Sequence, residues 1–188
     1  MKFDKIDEKS IGDAHDKLVQ SLRDFPSKIL QAKSSAVPME EYTAWQAELN
    51  ELAHVLSLEQ IDPKDYDARM EKLDHARGVV NIHSISEFKL YLEMLGLLDE
   101  KVAALTAHEN AHLNKAQELG ADGNYTIRFI KDEIGNARTI LPAMRLKFPP
   151  GMSAKERADI FRQVVAAPEV LSENDKIQLG KLNSLNDV

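Results

Sequence analysis

The residues of this sequence best suited to chemistry lie together at positions 107–113, which read Ala-His-Glu-Asn-Ala-His-Leu. His108 and His112 are four residues apart, so on a helix their imidazoles project from the same face, one turn apart. Two imidazoles placed in this way can bind one Zn²⁺ ion, and Glu109 beside them can accept a proton from a water molecule on that ion. The segment therefore predicts a metal site with His108 and His112 as ligands and Glu109 as a general base.

A helical wheel places these three side chains on the buried side of the predicted helix. With Leu105 at the centre of the apolar stripe and an advance of about 100° per residue, they all fall within about 60° of that centre. The same sector contains Leu98, Val102, Ala116 and Leu119. Polar groups in a buried seam are costly unless they have partners, and either a metal ion or a hydrogen-bonded network supplies such partners.

A zinc site with an open position for water needs a third protein ligand. Glu118 lies about 140° from the stripe centre and is expected to face solvent. Glu133 is expected on the following helix, about 60° from Ile130 and therefore beside its apolar face. A turn at Asp122-Gly123 would return that helix antiparallel to the first, so we expect Glu133 to complete the metal site.

The arrangement His108-Glu109-x-x-His112, followed after about twenty residues by a helical glutamate, resembles the gluzincin branch of the zinc metallopeptidases, the thermolysin-like group. The resemblance covers only about residues 100–140. It implies that His108, His112 and Glu133 hold Zn²⁺, that Glu109 is the catalytic general base, and that the substrate is a peptide.

Hydrolysis of a carbonyl substrate also needs a donor that stabilises the developing oxyanion. Tyr125, His83 and Arg138 are candidates for this role, and the sequence does not choose among them.

A second metal hypothesis uses two Glu-x-x-His units, Glu51 with His54 and Glu109 with His112, as in ferritin-like bundles that bind a pair of iron or manganese ions. Bridging carboxylates would then come from Glu71 or Glu93, and from Glu133. The wheel argues against this hypothesis, because it turns Glu51 and His54 away from the apolar stripe centred on Leu52.

A third interpretation is non-catalytic. His108, Glu109 and His112 would form a hydrogen-bonded polar patch between helices, or line a groove for a partner helix in an interaction protein.

The elements expected to position these residues are almost all helical. Apolar spacing, capping residues and prolines predict an all-α multi-helix bundle with at most one short strand, at about residues 79–85. The predicted helices include a long one at residues 86–119, which carries the motif, and another at residues 125–144. Two further helices are predicted after Ser153 and from Ser172. The break at residues 147–151 suggests a helical domain at 1–148 and a small helical extension at 149–188.

The amino-acid composition argues against several other classes of function. The 188 residues carry a net charge of −7, which argues against a broad nucleic-acid surface. There is no cysteine, so any metal must be bound by histidines and carboxylates. The first residues lack the apolar core of a signal peptide, and no apolar run is long enough to span a membrane. We therefore expect a cytoplasmic protein.

Overall fold

The computed structural model describes residues 8–139 and 143–183. Within these ranges the chain forms seven helices and four strands. The helices are α1 (Glu8–Ser34), α2 (Met39–Ser57), α3 (Pro63–Asp74), α4 (Ile85–Met94), α5 (Asp99–Glu118), α6 (Ala154–Val165) and α7 (Glu173–Asn183). The strands are β1 (Val79–Ile82), β2 (Asp122–Lys131), β3 (Ala137–Thr139) and β4 (Ala143–Lys147).

The four strands form one antiparallel sheet, so the expected all-α bundle is wrong and the fold is mixed α/β. β2 is the central strand: it pairs with β1 through Ile82 and Tyr125, with β4 over its first half, and with β3 over its second half. β1 is the short strand predicted near residues 79–85. The other three strands replace the helix predicted at residues 125–144.

That helix was predicted from Ile127, Ile130 and Ile134, whose spacing suits a helical face. In the structure Ile134 is 82% exposed in the turn after β2, so it contributes nothing to the core. The local composition is typical of a strand, because polar and apolar residues alternate from Asn124 to Phe129 and β-branched and aromatic types predominate. The segment follows this two-residue period and forms β2.

The alternation gives the sheet two different faces. Tyr125, Ile127 and Phe129 point into an apolar core shared with α1, α4 and α5. Asn124 and Arg128 belong to the opposite face and are also buried. A second core lies among α2, α3, β4 and α6, and includes Trp45, Leu52, Leu56, Tyr66, Leu146, Phe148, Ile160 and Val164.

The single helix predicted at residues 86–119 is two helices in the structure. Gly96 adopts a positive φ of 71° between α4 and α5, a conformation that suits glycine and ends α4.

Several predicted helix starts are confirmed. Ser84 accepts a hydrogen bond from the backbone N–H of Glu87, and Ser153 with Glu156 forms a complete capping box at the start of α6.

Arg157 anchors α6 to α3. Its side chain is 1% exposed, and its guanidinium donates to both carboxylate oxygens of Asp67 at 2.7 and 3.0 Å and to the Pro63 carbonyl at 3.2 Å. The same group lies 5.8 Å from the ring centroid of Tyr66 and 5.2 Å from that of Phe148. A buried cation with these partners fixes the position of α6.

We expect Arg157→Ala to lower the free energy of unfolding by about 3 kcal/mol, because it removes charge-assisted hydrogen bonds and leaves a cavity beside two aromatic rings. Urea unfolding followed by circular dichroism measures the loss. Arg138→Ala is the control, since Arg138 is 70% exposed in its pair with Asp132 and should contribute less than about 1 kcal/mol. Equal losses in the two variants would contradict an anchoring role for Arg157.

Candidate metal centre

α5 carries the two histidines of the motif on the side that faces α6 and α7. The helix packs against α4, α6 and β2. The rings of His108 and His112 are adjacent, with centroids 5.0 Å apart and planes at 84°. The predicted inward orientation of the motif is therefore present: His112 is buried, and His108 and Glu109 are half-buried.

The carboxylate that meets these histidines belongs to Asp175, in the first turn of α7. Nε2 of His108 lies 3.1 Å from one carboxylate oxygen, and Nε2 of His112 lies 3.5 Å from the other. Potential ligand atoms of all three residues lie within 4.8 Å of one another. The ligands of a tetrahedral zinc ion, at about 2.0–2.1 Å from the metal, are about 3.4 Å apart. The two histidine–carboxylate distances of 3.1 and 3.5 Å match this spacing, and small side-chain movements would bring all three ligand atoms onto one ion.

His112 is oriented by a contact on its other nitrogen. Nδ1 lies 2.7 Å from the carbonyl oxygen of Val164, in the last turn of α6. A carbonyl can only accept a hydrogen bond, so Nδ1 carries the proton and donates it. In the neutral ring Nε2 then presents a lone pair towards Asp175. Metal-binding histidines are commonly held in this way, with one nitrogen donating to the protein and the other free for the metal.

Asp175 is itself held at the start of α7. One of its carboxylate oxygens accepts hydrogen bonds from the backbone N–H of Ser172 at 2.8 Å and from the Ser172 hydroxyl at 2.6 Å. The Ser172 hydroxyl in turn accepts from the backbone N–H of Asp175 at 3.1 Å. This reciprocal pair is a capping box, and it directs the carboxylate back towards α5.

Glu109 lies beside the three possible ligands. Burial raises the pKa of its carboxyl group, while the nearby Tyr125 hydroxyl and the neighbouring histidines act in the opposite direction. The Tyr125 hydroxyl donates to the main-chain carbonyl of Glu109 at 3.0 Å. Burial raises the pKa of Tyr125 as well, so its hydroxyl stays protonated and remains a donor. A half-buried carboxyl with a raised pKa is a suitable general base near neutral pH.

The structure separates Glu133 from this group. Glu133 lies in the turn between β2 and β3, where it is exposed, because the helix expected to carry it is replaced by strands. Among residues 8–139 and 143–183, His108, His112 and Asp175 form the only group of three or more histidine and acidic side chains spaced for a metal.

The residues of the di-iron or di-manganese hypothesis also lie elsewhere. Glu51 and His54 are exposed on α2, and the proposed bridging residues Glu71 and Glu93 are exposed on α3 and α4. None of them joins the described histidine and carboxylate group.

Of the three oxyanion candidates, Tyr125 alone is placed by its hydrogen bonds against the motif helix. His83 is exposed at the end of β1, and Arg138 is bound to Asp132 beside the β2–β3 turn.

Sequence patterns do not identify Asp175 as part of this group, because they do not show which helix returns to α5. Its local signal was readable: Ser172-x-x-Asp175 is a helix-start pattern, and a helix was predicted from Ser172. The contact with two histidines far earlier in the chain comes only from the tertiary fold.

Searches against protein-family models, curated proteins and solved structures find no match to this chain. Among its described helices, none is both long enough and apolar enough to cross a membrane.

The site predicts one Zn²⁺ ion per chain. We expect His108→Ala, His112→Ala and Asp175→Asn each to weaken zinc affinity on the order of a hundredfold or more, measured by calorimetric titration of metal-stripped protein. Glu133→Ala should bind zinc as the wild type does.

Glu156→Gln is a matched control for Asp175→Asn. Both changes remove the carboxylate of a serine-capped helix start, but only Asp175 contacts the histidines. Equal zinc affinity in the wild type and Asp175→Asn would exclude Asp175 as a ligand.

Proposed function

We propose that this protein is a zinc-dependent hydrolase in which His108, His112 and Asp175 bind the metal and Glu109 is the general base. The observation that carries the proposal is the convergence of two Nε2 atoms and one carboxylate beside a half-buried glutamate. Three protein ligands leave a tetrahedral ion one position for water, which is the pattern of catalytic rather than structural zinc sites. Asp175 takes the place that the sequence had suggested for Glu133.

In the proposed hydrolysis, the metal ion and Glu109 would have different roles. When bound, zinc would act as a Lewis acid and lower the pKa of a water molecule towards neutrality. Glu109 would accept a proton from the attacking water as the water oxygen adds to the carbonyl carbon of the substrate. Glu109 then delivers the proton to the leaving nitrogen as the carbon–nitrogen bond breaks, which gives a carboxylic acid and an amine.

A peptide is the proposed substrate class, because the motif resembles that of zinc metallopeptidases. Tyr125 is proposed as a positioning residue. It donates to the main-chain carbonyl of Glu109 and interacts with its carboxyl group, so it fixes the base within its turn of α5. Its hydroxyl is engaged with Glu109, which favours this role over oxyanion stabilisation.

The decisive experiment compares zinc-loaded wild type with Glu109→Gln on a library of quenched fluorescent peptides. We expect Glu109→Gln to retain one zinc per chain and to lose at least about a hundredfold in kcat/KM, because glutamine cannot accept the proton. Glu118→Gln makes the same chemical change at an exposed position of α5 and should leave the rate unchanged. Zinc binding with equal background rates in all three proteins would indicate a purely structural metal site.

We expect Tyr125→Phe to lower kcat by about tenfold with little change in zinc affinity, because a general base that is free to move is less often in a productive position. Steady-state kinetics together with zinc titration separate the two effects. The control is Tyr42→Phe, which removes a hydroxyl bound only to Gln46 on α2. A loss of zinc affinity equal to the loss of rate would assign Tyr125 to folding of the site instead.

A further inference from the structure

α7 has an unusual pattern of burial for a packed helix. Across residues 173–180, where its side chains are described, Asp175 is the only buried residue. Ile177 is 56% exposed, and Lys176 pairs only with its own helix neighbour Glu173. By contrast, α6 buries five residues, most of them apolar. A surface helix is normally held by an apolar stripe, and the described part of α7 lacks one.

One half of the buried contact of α7, between Asp175 and His112, is not attractive when His112 is neutral. Nδ1 of His112 donates to Val164, so Nε2 of the neutral ring has no proton to offer. This nitrogen and the Asp175 oxygen 3.5 Å away therefore face each other as two acceptors. A cation between them converts that repulsion into two bonds. An ion that binds His108, His112 and Asp175 together would therefore hold α7 more firmly than the His108–Asp175 contact of 3.1 Å alone.

We infer that metal binding docks α7: the ion bound by His108, His112 and Asp175 is the main attachment of this helix to the protein. The inference rests on the proposed zinc site and adds its regulation. A helix of 11 residues is marginal in water without tertiary contacts, so α7 undocks when the metal leaves. When the ion dissociates, Asp175 moves away with α7, so the ion and its third ligand leave together. The concentration of free metal therefore controls whether the site is complete.

Hydrogen exchange of the full-length chain tests this directly. The protein is compared in excess Zn²⁺ and in EDTA, and exchange is read by mass spectrometry for peptides that cover α7, α6 and β2. We expect zinc to slow exchange in α7 on the order of tenfold or more, with little change in β2, whose core packing does not involve the metal. Asp175→Asn should remove the effect of zinc on α7, whereas Glu173→Gln, an exposed change on the same helix, should preserve it.

A second variant tests whether docking of α7 is coupled to zinc binding, and it leaves the three proposed ligands unchanged. Gly180 is an exposed helical residue of α7, and a Cβ added there meets no neighbouring atom. Gly180→Ala stabilises the helical conformation of α7, because alanine has a higher helix propensity than glycine. If α7 is undocked without metal, this stabilisation should tighten zinc affinity by up to about fivefold. Asn50→Ala, an exposed change on α2, should leave zinc affinity unchanged.

The outcomes are separable because zinc binding, exchange and hydrolysis are read independently. Zinc binding with identical α7 exchange in Zn²⁺ and EDTA overturns the docking inference but leaves the metal site standing. Zinc-dependent protection without peptide hydrolysis supports the inference and rejects the proposed enzyme. Failure to bind zinc at all overturns both.

Discussion

The hydrogen bond between Nδ1 of His112 and the Val164 carbonyl is the contact on which the site depends. It joins the helix that carries the motif to the end of α6, and it selects the ring nitrogen that faces Asp175. The end of α6 can serve this purpose because the helix is fixed at its start by Arg157 and near its end by Arg162, which donates to the Ser57 carbonyl at 2.9 Å. Cation–carboxylate and cation–carbonyl contacts on α6 thus set the geometry of an imidazole on α5.

The Asp175 carboxylate has two structural roles. It completes the capping box of α7 with Ser172, and the same group faces both histidines. The cap supplies hydrogen bonds that orient the oxygens, in the way that protein partners commonly orient metal ligands. A single side chain therefore links the local start of a helix to the long-range assembly of the site.

The sequence predicted the parts of the site that depend on local spacing. The inward face of His108, Glu109 and His112 follows from helical geometry alone, and the capping patterns that start α4 and α6 are equally local. The carboxylate that meets the two histidines depends on tertiary structure. A turn followed by a helix would have returned Glu133 to the motif, but the alternating residues of β2 form a strand that is stabilised by pairing with the rest of the sheet. No spacing rule connects Asp175 to a helix so far away in the chain.

The surroundings of Trp45 have a consequence for how this protein can be observed in solution. It is the only tryptophan, it is buried, and its indole N–H donates to the Leu73 carbonyl at 3.1 Å. The guanidinium groups of Arg128 and Arg145 each lie 5.4 Å from the centroid of its ring. Intrinsic fluorescence therefore reports on the junction of α2, α3 and the sheet. Global unfolding is expected to change this emission, whereas α7 contains no tryptophan, so its undocking needs a fluorescent probe of its own.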